Sequence, residues 1–258
     1  RSDLANGVHE ADRLRYEALL QSLEASGGNH EKQKHIIEQS PAILEEYRLK
    51  YDPLIRVDVN NQREVSYLEA MYDQKIHELD AGDLRELLAF VSKDAIRKNT
   101  VVIITSDHGE EFGEHGYINH STLYESNTRV VFVMAVPGVN SRTINDYVQS
   151  ADITPTILDL LGIRSGPFQG VSLQPLFMGG WLGKRLLVAD TLNKQTLRLD
   201  KWKLFIDKRT SESVPIELYN KEADPAEVHN VLFTHMALVR TMMHRYDQLD
   251  KRWQSNAP

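Results

Sequence analysis

Apolar side chains along this chain follow two rhythms, and the change falls near residue 100. Val65, Leu68, Met71, Tyr72, Ile76 and Leu79, then Leu84, Leu87, Leu88 and Val91, recur at helical spacing. The pattern predicts amphipathic helix with a packing role. Gly82-Asp83 punctuates it into two helices, or one with a break. Val101-Val102-Ile103-Ile104 is instead a continuous apolar run, the mark of a strand covered on both faces in the middle of a parallel sheet. A second buried strand is predicted over Val130 to Val136. Asp152 followed by Thr154-Pro155 reads as an N-cap and early proline opening a helix, a structural role rather than a catalytic one.

From Gly179 the character changes. Leu186 to Ala189, Thr196 to Leu199, Trp202 to Ile206 and Ile216 to Tyr219 are short strand candidates at regular spacing, which predicts a small antiparallel sheet. Thr234 opens a closing helix with Val239, Met242, Met243, Tyr246, Leu249 and Trp253 on one face. That stripe is read as core, not as a cofactor-binding surface. Residues 1 to about 50 are polar and helix-prone, interrupted at Gly27-Gly28 and restarted at Ser40-Pro41, a helical excursion or a lid. The division predicted is a partial α/β core over 1–178 with this N-terminal excursion, and a β subdomain with the closing helix over 179–258.

Composition narrows the classes. The 258 residues carry 37 acidic and 30 basic side chains, a formal net charge of −7. That balance argues against nucleic acid or an anionic membrane as the main partner. No run approaches the roughly 18 apolar residues of a membrane span, and the N-terminus lacks the apolar stretch of a signal peptide, so any targeting segment would precede Arg1. With no cysteine, the chain forms no disulfide and performs no thiol chemistry, which leaves its compartment open.

The chemistry gathers behind the first buried run. Ser106-Asp107-His108-Gly109-Glu110-Glu111-Phe112-Gly113-Glu114-His115-Gly116 follows directly on Thr105. Asp107 and His108 therefore stand at the carboxyl end of a strand, where α/β sheets collect ligands. Adjacent side chains within a strand point to opposite faces and could not share an ion. At the strand's end the chain turns, and Gly109 is expected to relax the backbone so that both converge. A carboxylate and an imidazole suit Zn²⁺ or Mn²⁺, whereas a pure oxygen set would favour Ca²⁺ or Mg²⁺. The plain alternative is an acidic, glycine-rich surface loop.

That segment closely resembles the second metal-binding segment of sulfatases, in the alkaline phosphatase superfamily. His120-Ser121-Thr122-Leu123-Tyr124-Glu125-Ser126-Asn127-Thr128-Arg129-Val130 is similar to the family's H-G-x-S-L-Y-E-E-x-x-R-V-P run, with Ser121 for its glycine and Val131 for its proline. Val133 to Gly138 resembles the next strand and turn. Ala151 to Gly162 resembles the D-I-x-P-T-L-L-D-L-x-G helix, and Glu217 to Glu227 the E-L-Y-D-L-x-x-D-P-x-E hairpin. The resemblance implies an α/β fold, a mixed sheet flanked by helices with a small C-terminal antiparallel sheet and helix. It implies a metal-dependent sulfuric ester hydrolase acting on a small-molecule or glycan sulfate or phosphate ester, with Ca²⁺ or Mg²⁺ as the expected ion and Mn²⁺ or Zn²⁺ tolerated. It also leans towards an extracytoplasmic enzyme.

By the same resemblance, Asp107 and His108 are the metal ligands, and His120 occupies the region where relatives place a His or Lys against the transferred group. His115 is a second catalytic candidate. Glu110 and Glu111 either ligate a second ion or brace the loop, with bracing the favoured reading, and Arg129 is read as a partner for a substrate anion or for Glu125. The family's nucleophile segment, a C/S-x-P-x-R motif beside paired aspartates, is not found in the 258 residues. The chain therefore looks like the C-terminal part of such an enzyme, with half of the metal site. Alone it is expected to bind metal weakly at best and to turn over nothing measurable. A phosphoethanolamine- or glycerol-phosphate-type transferase, a phosphonate or phosphodiester hydrolase, and a non-catalytic relative that only binds a partner are the competing readings.

Overall fold

A computed structural model describes residues 57–163, 166–209 and 213–255, with position 21 as an isolated helical residue. The chain divides into two compact units, Arg1–Ser66 and Tyr67–Pro258. Most of the first unit, including the expected N-terminal excursion, lies outside the described residues.

Helix α1 runs Gln62–Ala81 and α2 runs Asp83–Val91, so the helical pattern does break at Gly82. A Cβ there would come 3.1 Å from the Glu78 carbonyl. The packing role expected for the stripe is only partly met. Met71, Tyr72, Ile76, Leu79 and Leu87 are exposed, and Tyr72 meets one described partner, the edge of the Phe112 ring, with centroids 5.3 Å apart. Helical spacing identifies the apolar face of a helix without identifying what covers it. After a short α3 (Asp94–Arg97) comes β1, Val102–Thr105.

Strand β1 pairs antiparallel with β4 (Phe132–Ala135), Val102 opposite Ala135 and Thr105 opposite Phe132. This corrects the parallel, doubly buried strand that its apolar run predicts. Among the described residues β4 is its one neighbour, and Val102 to Ile104 are only half-buried. A continuous apolar run reports that two faces want cover, not the direction of the neighbouring strand. Between these strands lie β2 (Glu111–Phe112) and β3 (Ile118–Asn119), a two-residue ladder closed by Gly113 and Gly116 at positive φ, and then α4 (Glu125–Thr128).

A 3₁₀ turn at Ser150–Asp152 leads into α5 (Ile153–Leu160), and α6 (Gln174–Phe177) follows. Asp152 stands at the N-cap position of α5 but donates no side-chain cap to it. Its fully buried carboxylate instead accepts from the amides of Gln149 and Val171, each at 2.9 Å, and from the Arg185 guanidinium. The structural role expected for Asp152 is present, through different partners.

The C-terminal strands form one antiparallel sheet in chain order: β5 (Leu186–Asp190), β6 (Lys194–Leu199), β7 (Trp202–Asp207) and β8 (Val214–Asn220). Period-two alternation gives the sheet two apolar faces. Leu197, Leu199, Leu204, Ile206 and Leu218 pack with Leu232 and with Val239 and Met242 of α7 (Met236–Ser255). On the opposite face Phe205 and Tyr219 pack with Leu123, flanked by Tyr124. Each fully buried aliphatic side chain of this kind contributes about 1.5–3 kcal/mol. The sheet is thus covered by α7 on one side and carries the segment that follows His120 on the other.

Candidate functional site

The site begins where β1 ends. Gly109 donates its amide to the Asn127 carbonyl at 2.8 Å, and a Cβ on Gly109 would fall 1.9 Å from the Ser126 carbonyl oxygen. Gly109 is therefore a point of close backbone approach to α4, a constraint the sequence did not indicate. Just before it, the Asp107 Oδ1 accepts the His108 amide at 3.0 Å. That hydrogen bond, with the nearby His108 ring, holds the exposed Asp107 carboxyl below its ordinary range.

The His108 Nδ1 lies 2.8 Å from the Gly109 carbonyl. A carbonyl can only accept, so Nδ1 carries a proton, and in the neutral ring Nε2 is the nitrogen with the lone pair. That Nε2 is 3.7 Å from Asp107 Oδ2. The two expected metal ligands thus turn to a common side, each with a free donor atom. A carbonyl bond to the far ring nitrogen is also the usual way a ligating histidine is oriented. These residues fit a divalent cation.

His120 meets the same ring. The imidazoles of His108 and His120 stack with centroids 4.0 Å apart and an interplanar angle of 25°. His120 is placed by Asn119, which stands at φ +90° and accepts the His120 amide at 2.9 Å through its side chain. Glu110 Oε2 faces His120 Nδ1 at 3.3 Å. His108, Glu110 and His120 each offer a donor atom within 4.8 Å of the others. Glu110, expected to be a brace, thus stands with the two histidines, and its position in an acid-rich loop held no signal separating it from Glu111.

Glu111 is the brace. It is fully buried and accepts from Thr122 Oγ1 at 2.7 Å and Asn127 Nδ2 at 2.8 Å. His115 is used differently from His120. Its ring stacks on Tyr124 at 3.6 Å, its Nε2 donates to the Ala226 carbonyl at 3.0 Å, and its Nδ1 faces Glu111 Oε1 at 3.8 Å. These contacts tie the loop to Tyr124 and to the segment after β8, and they are not shared with His108, Glu110 or His120.

Beneath the loop lies a buried charge network. Glu227 Oε2 accepts the Glu125 amide at 2.6 Å at the start of α4, and Glu227 Oε1 lies 3.0 Å from Lys203 Nζ and 3.4 Å from Lys221 Nζ. Lys203 Nζ also donates to Thr128 Oγ1 at 3.1 Å. Burial lowers the Lys203 pKa, and the charges of Glu227 and Glu125 offset this only in part. Glu125 is shared among Arg198, Lys203 and Lys221, while Arg129 is exposed and makes no ion pair with it. Tyr124, which carries the His115 ring, has its hydroxyl pushed to higher pKa by burial and by the Glu217 carboxylate it donates to at 3.0 Å. Lys203 escaped sequence reading, although a lysine inside the apolar run Trp202 to Ile206 is the kind of interruption that marks a buried partner.

Similarity to known proteins agrees with this geometry. A family model described as Sulfatase matches residues 25–163, more than half of the chain. Arylsulfatase K of Gallus gallus is 29% identical over 198 residues, which covers 70% of this chain and 36% of that protein. The human protein of the same name is 31% identical over 186 residues, 66% of this chain and 34% of its own length. This chain thus spans about a third of the length of those curated relatives. Among solved structures, a protein in complex with its substrate D-glucosamine-2-N,6-O-disulfate superposes with a TM-score of 0.60 at 22% identity, over 88% of this chain and 48% of that one. The phosphonate monoester hydrolase of Agrobacterium radiobacter gives 0.59 at 24%, over 74% and 42%. Among the described residues no helix is long and apolar enough to cross a membrane. On the family match, the motifs in order and the fold they share, the chain belongs to the sulfatase family.

Proposed function

We propose that this chain carries part of the active site of a metal-dependent sulfate-ester hydrolase. The observation that supports it most directly is the convergence of Asp107 Oδ2 and His108 Nε2, 3.7 Å apart, beside the stacked ring of His120. Asp107 and His108 would hold a divalent cation, Ca²⁺ or Mg²⁺ in this reading. When bound, such an ion offsets charge on a non-bridging oxygen of the ester and favours the ionised form of the attacking group. The nucleophile is supplied by a group outside these 258 residues, in keeping with the fraction of the relatives' length that they span.

The chain's own residues then have separable tasks. Asp107 gives a carboxylate that the His108 amide keeps ionised. Gly109 holds His108 in the tautomer whose Nε2 can ligate. His120 donates an N–H to the transferred group, or a proton to the leaving alkoxide as the sulfur–oxygen bond to the alcohol breaks. Glu110 orients the His120 ring through Nδ1. His115, on its contacts, acts by positioning: it locks the loop to Tyr124 and Ala226.

The test is hydrolysis of an aryl sulfate beside the matching aryl phosphate and aryl phosphonate monoester, using the longer protein that contains this chain. Sulfate should be preferred. Asp107→Asn and His108→Ala should each lower kcat by at least about a hundredfold, the several kcal/mol of a lost metal site. A preference for the phosphonate would move the enzyme to the hydrolase class of its structural neighbour. Full rates in both variants would end the metal-site reading.

A further inference from the structure

Glu110 offers more than the ester reading uses. Its carboxylate and the rings of His108 and His120 bring three donor atoms within 4.8 Å of one another. Their backbone is anchored from below, Gly109 on Asn127 and Glu111 on Thr122 and Asn127. The backbone that carries the three side chains is therefore held in place by buried hydrogen bonds. The Nδ1–H of His108 is committed to the Gly109 carbonyl, which leaves a ligating Nε2. Glu110 Oε2 faces His120 Nδ1 at 3.3 Å, a contact that a proton or a shared cation can each satisfy.

We infer that His108, Glu110 and His120 form a second cation site, different from the Asp107–His108 pair, that takes a transition-metal ion of the Zn²⁺ class. The donor set decides the class. Two imidazoles and one carboxylate match Zn²⁺, Co²⁺ or Ni²⁺, whereas Ca²⁺ prefers six to eight oxygens and Mg²⁺ an oxygen octahedron. Three protein ligands plus water is the composition of open zinc sites, and the half-exposed rings of His108 and His120 leave room for that water. Tetrahedral ligands at zinc distances stand roughly 3.3 Å apart, so the widest pair has to close by no more than roughly 1.5 Å. Side-chain rotation within the three residues supplies such a movement without shifting the backbone.

The two sites share His108, so filling one empties the other. A Zn²⁺-class ion would withdraw His108 from Asp107 and His120 from an ester, making such ions inhibitors. That consequence rests on the sulfate-ester reading, whereas binding itself does not.

The test is titration of Co²⁺ into the 258-residue chain, read by visible absorption, with Zn²⁺ as competitor and far-ultraviolet circular dichroism of every variant to confirm folding. One equivalent should bind with the intense bands of a four-coordinate ion, and near-stoichiometric Zn²⁺ should displace it, whereas Ca²⁺ should compete through the shared His108 only at large excess. His120→Ala and Glu110→Gln should each weaken binding at least about tenfold, and Asp107→Asn less than about threefold. The assignment is overturned if no Co²⁺ binds, if His120→Ala and Glu110→Gln bind as tightly as the parent chain, or if Asp107→Asn weakens binding as much as His120→Ala.

Discussion

The amide of Gly109 reaches the carbonyl of Asn127 at 2.8 Å, and through that contact the Asp107–His108 turn is seated on α4, the element that follows His120. Both halves of the candidate site therefore depend on one backbone crossing. A methyl group at 109 would stand 1.9 Å from the Ser126 oxygen, and backbone, unlike a side chain, cannot rotate away. Gly109→Ala is expected to destabilise the chain by about 1–3 kcal/mol or more. Urea unfolding measures this. A midpoint within error of the parent chain would show that the crossing is looser than described.

Lys203 and Glu227 are both almost completely buried and 3.0 Å apart. Removing one partner leaves the other charge unpaired in the interior, so Lys203→Met should cost about 3–5 kcal/mol. Lys203→Met with Glu227→Gln should cost clearly less than the sum of the two single changes. A double-mutant cycle on unfolding free energies gives the coupling, and strict additivity would mean that the pair contributes nothing specific to the α4 seat.

Asp224 supplies the pH dependence. Burial works against its charged form, but the amides of Val228 and His229, at 3.2 and 2.8 Å, and the charge of the His229 ring outweigh it and hold the pKa below the ordinary value. The charged form is thus favoured by folding. Its contribution is complete above the unfolded pKa of about 3.9 and is lost as pH falls through the lower folded value. Asp224→Asn should lower stability at neutral pH by about 1–2 kcal/mol and flatten the decline in melting temperature below about pH 4. An unchanged acid slope in the variant would assign that decline to other carboxylates.

How far these features could be read from residue order follows from the range of each interaction. The C-terminal strands and closing helix declare themselves through local alternation and helical spacing, and they form close to where the pattern puts them, as β5 to β8 and α7. The turn that sets Asp107 and His108 side by side is local, because strand, turn and both residue types are contiguous and their mutual hydrogen bonds span one residue. Glu110 could not be told from Glu111, since the choice depends on Thr122 and Asn127 folding back onto one of them. The antiparallel partner of β1 and the Lys203–Glu227 pair were hidden for the same reason: tertiary pairing leaves no period in the sequence. His115 shared the loop and residue type of His120, and only its stack on Tyr124 separates their tasks.

Asp152 and Arg185 give the sharpest separation of structural from chemical effects. The Asp152 carboxylate is fully buried and takes hydrogen bonds from the Gln149 and Val171 amides and from both terminal nitrogens of Arg185. It therefore joins the start of α5, the turn after Gly170 and the entry to β5. None of these contacts involves Asp107, His108 or His120. Asp152→Asn replaces one accepting oxygen by a donor and leaves the partly buried guanidinium without its counter-charge, so about 2–4 kcal/mol of stability should be lost. Per folded molecule, the kcat and metal affinity of the longer protein should stay within about twofold of the parent, as expected where a substitution removes no contact to the reacting groups. Chemical denaturation and single-turnover assays on one preparation supply both numbers. A large fall in kcat with stability intact would place Asp152 in the chemistry after all, and its bond to Arg185 would then need a catalytic account rather than a structural one.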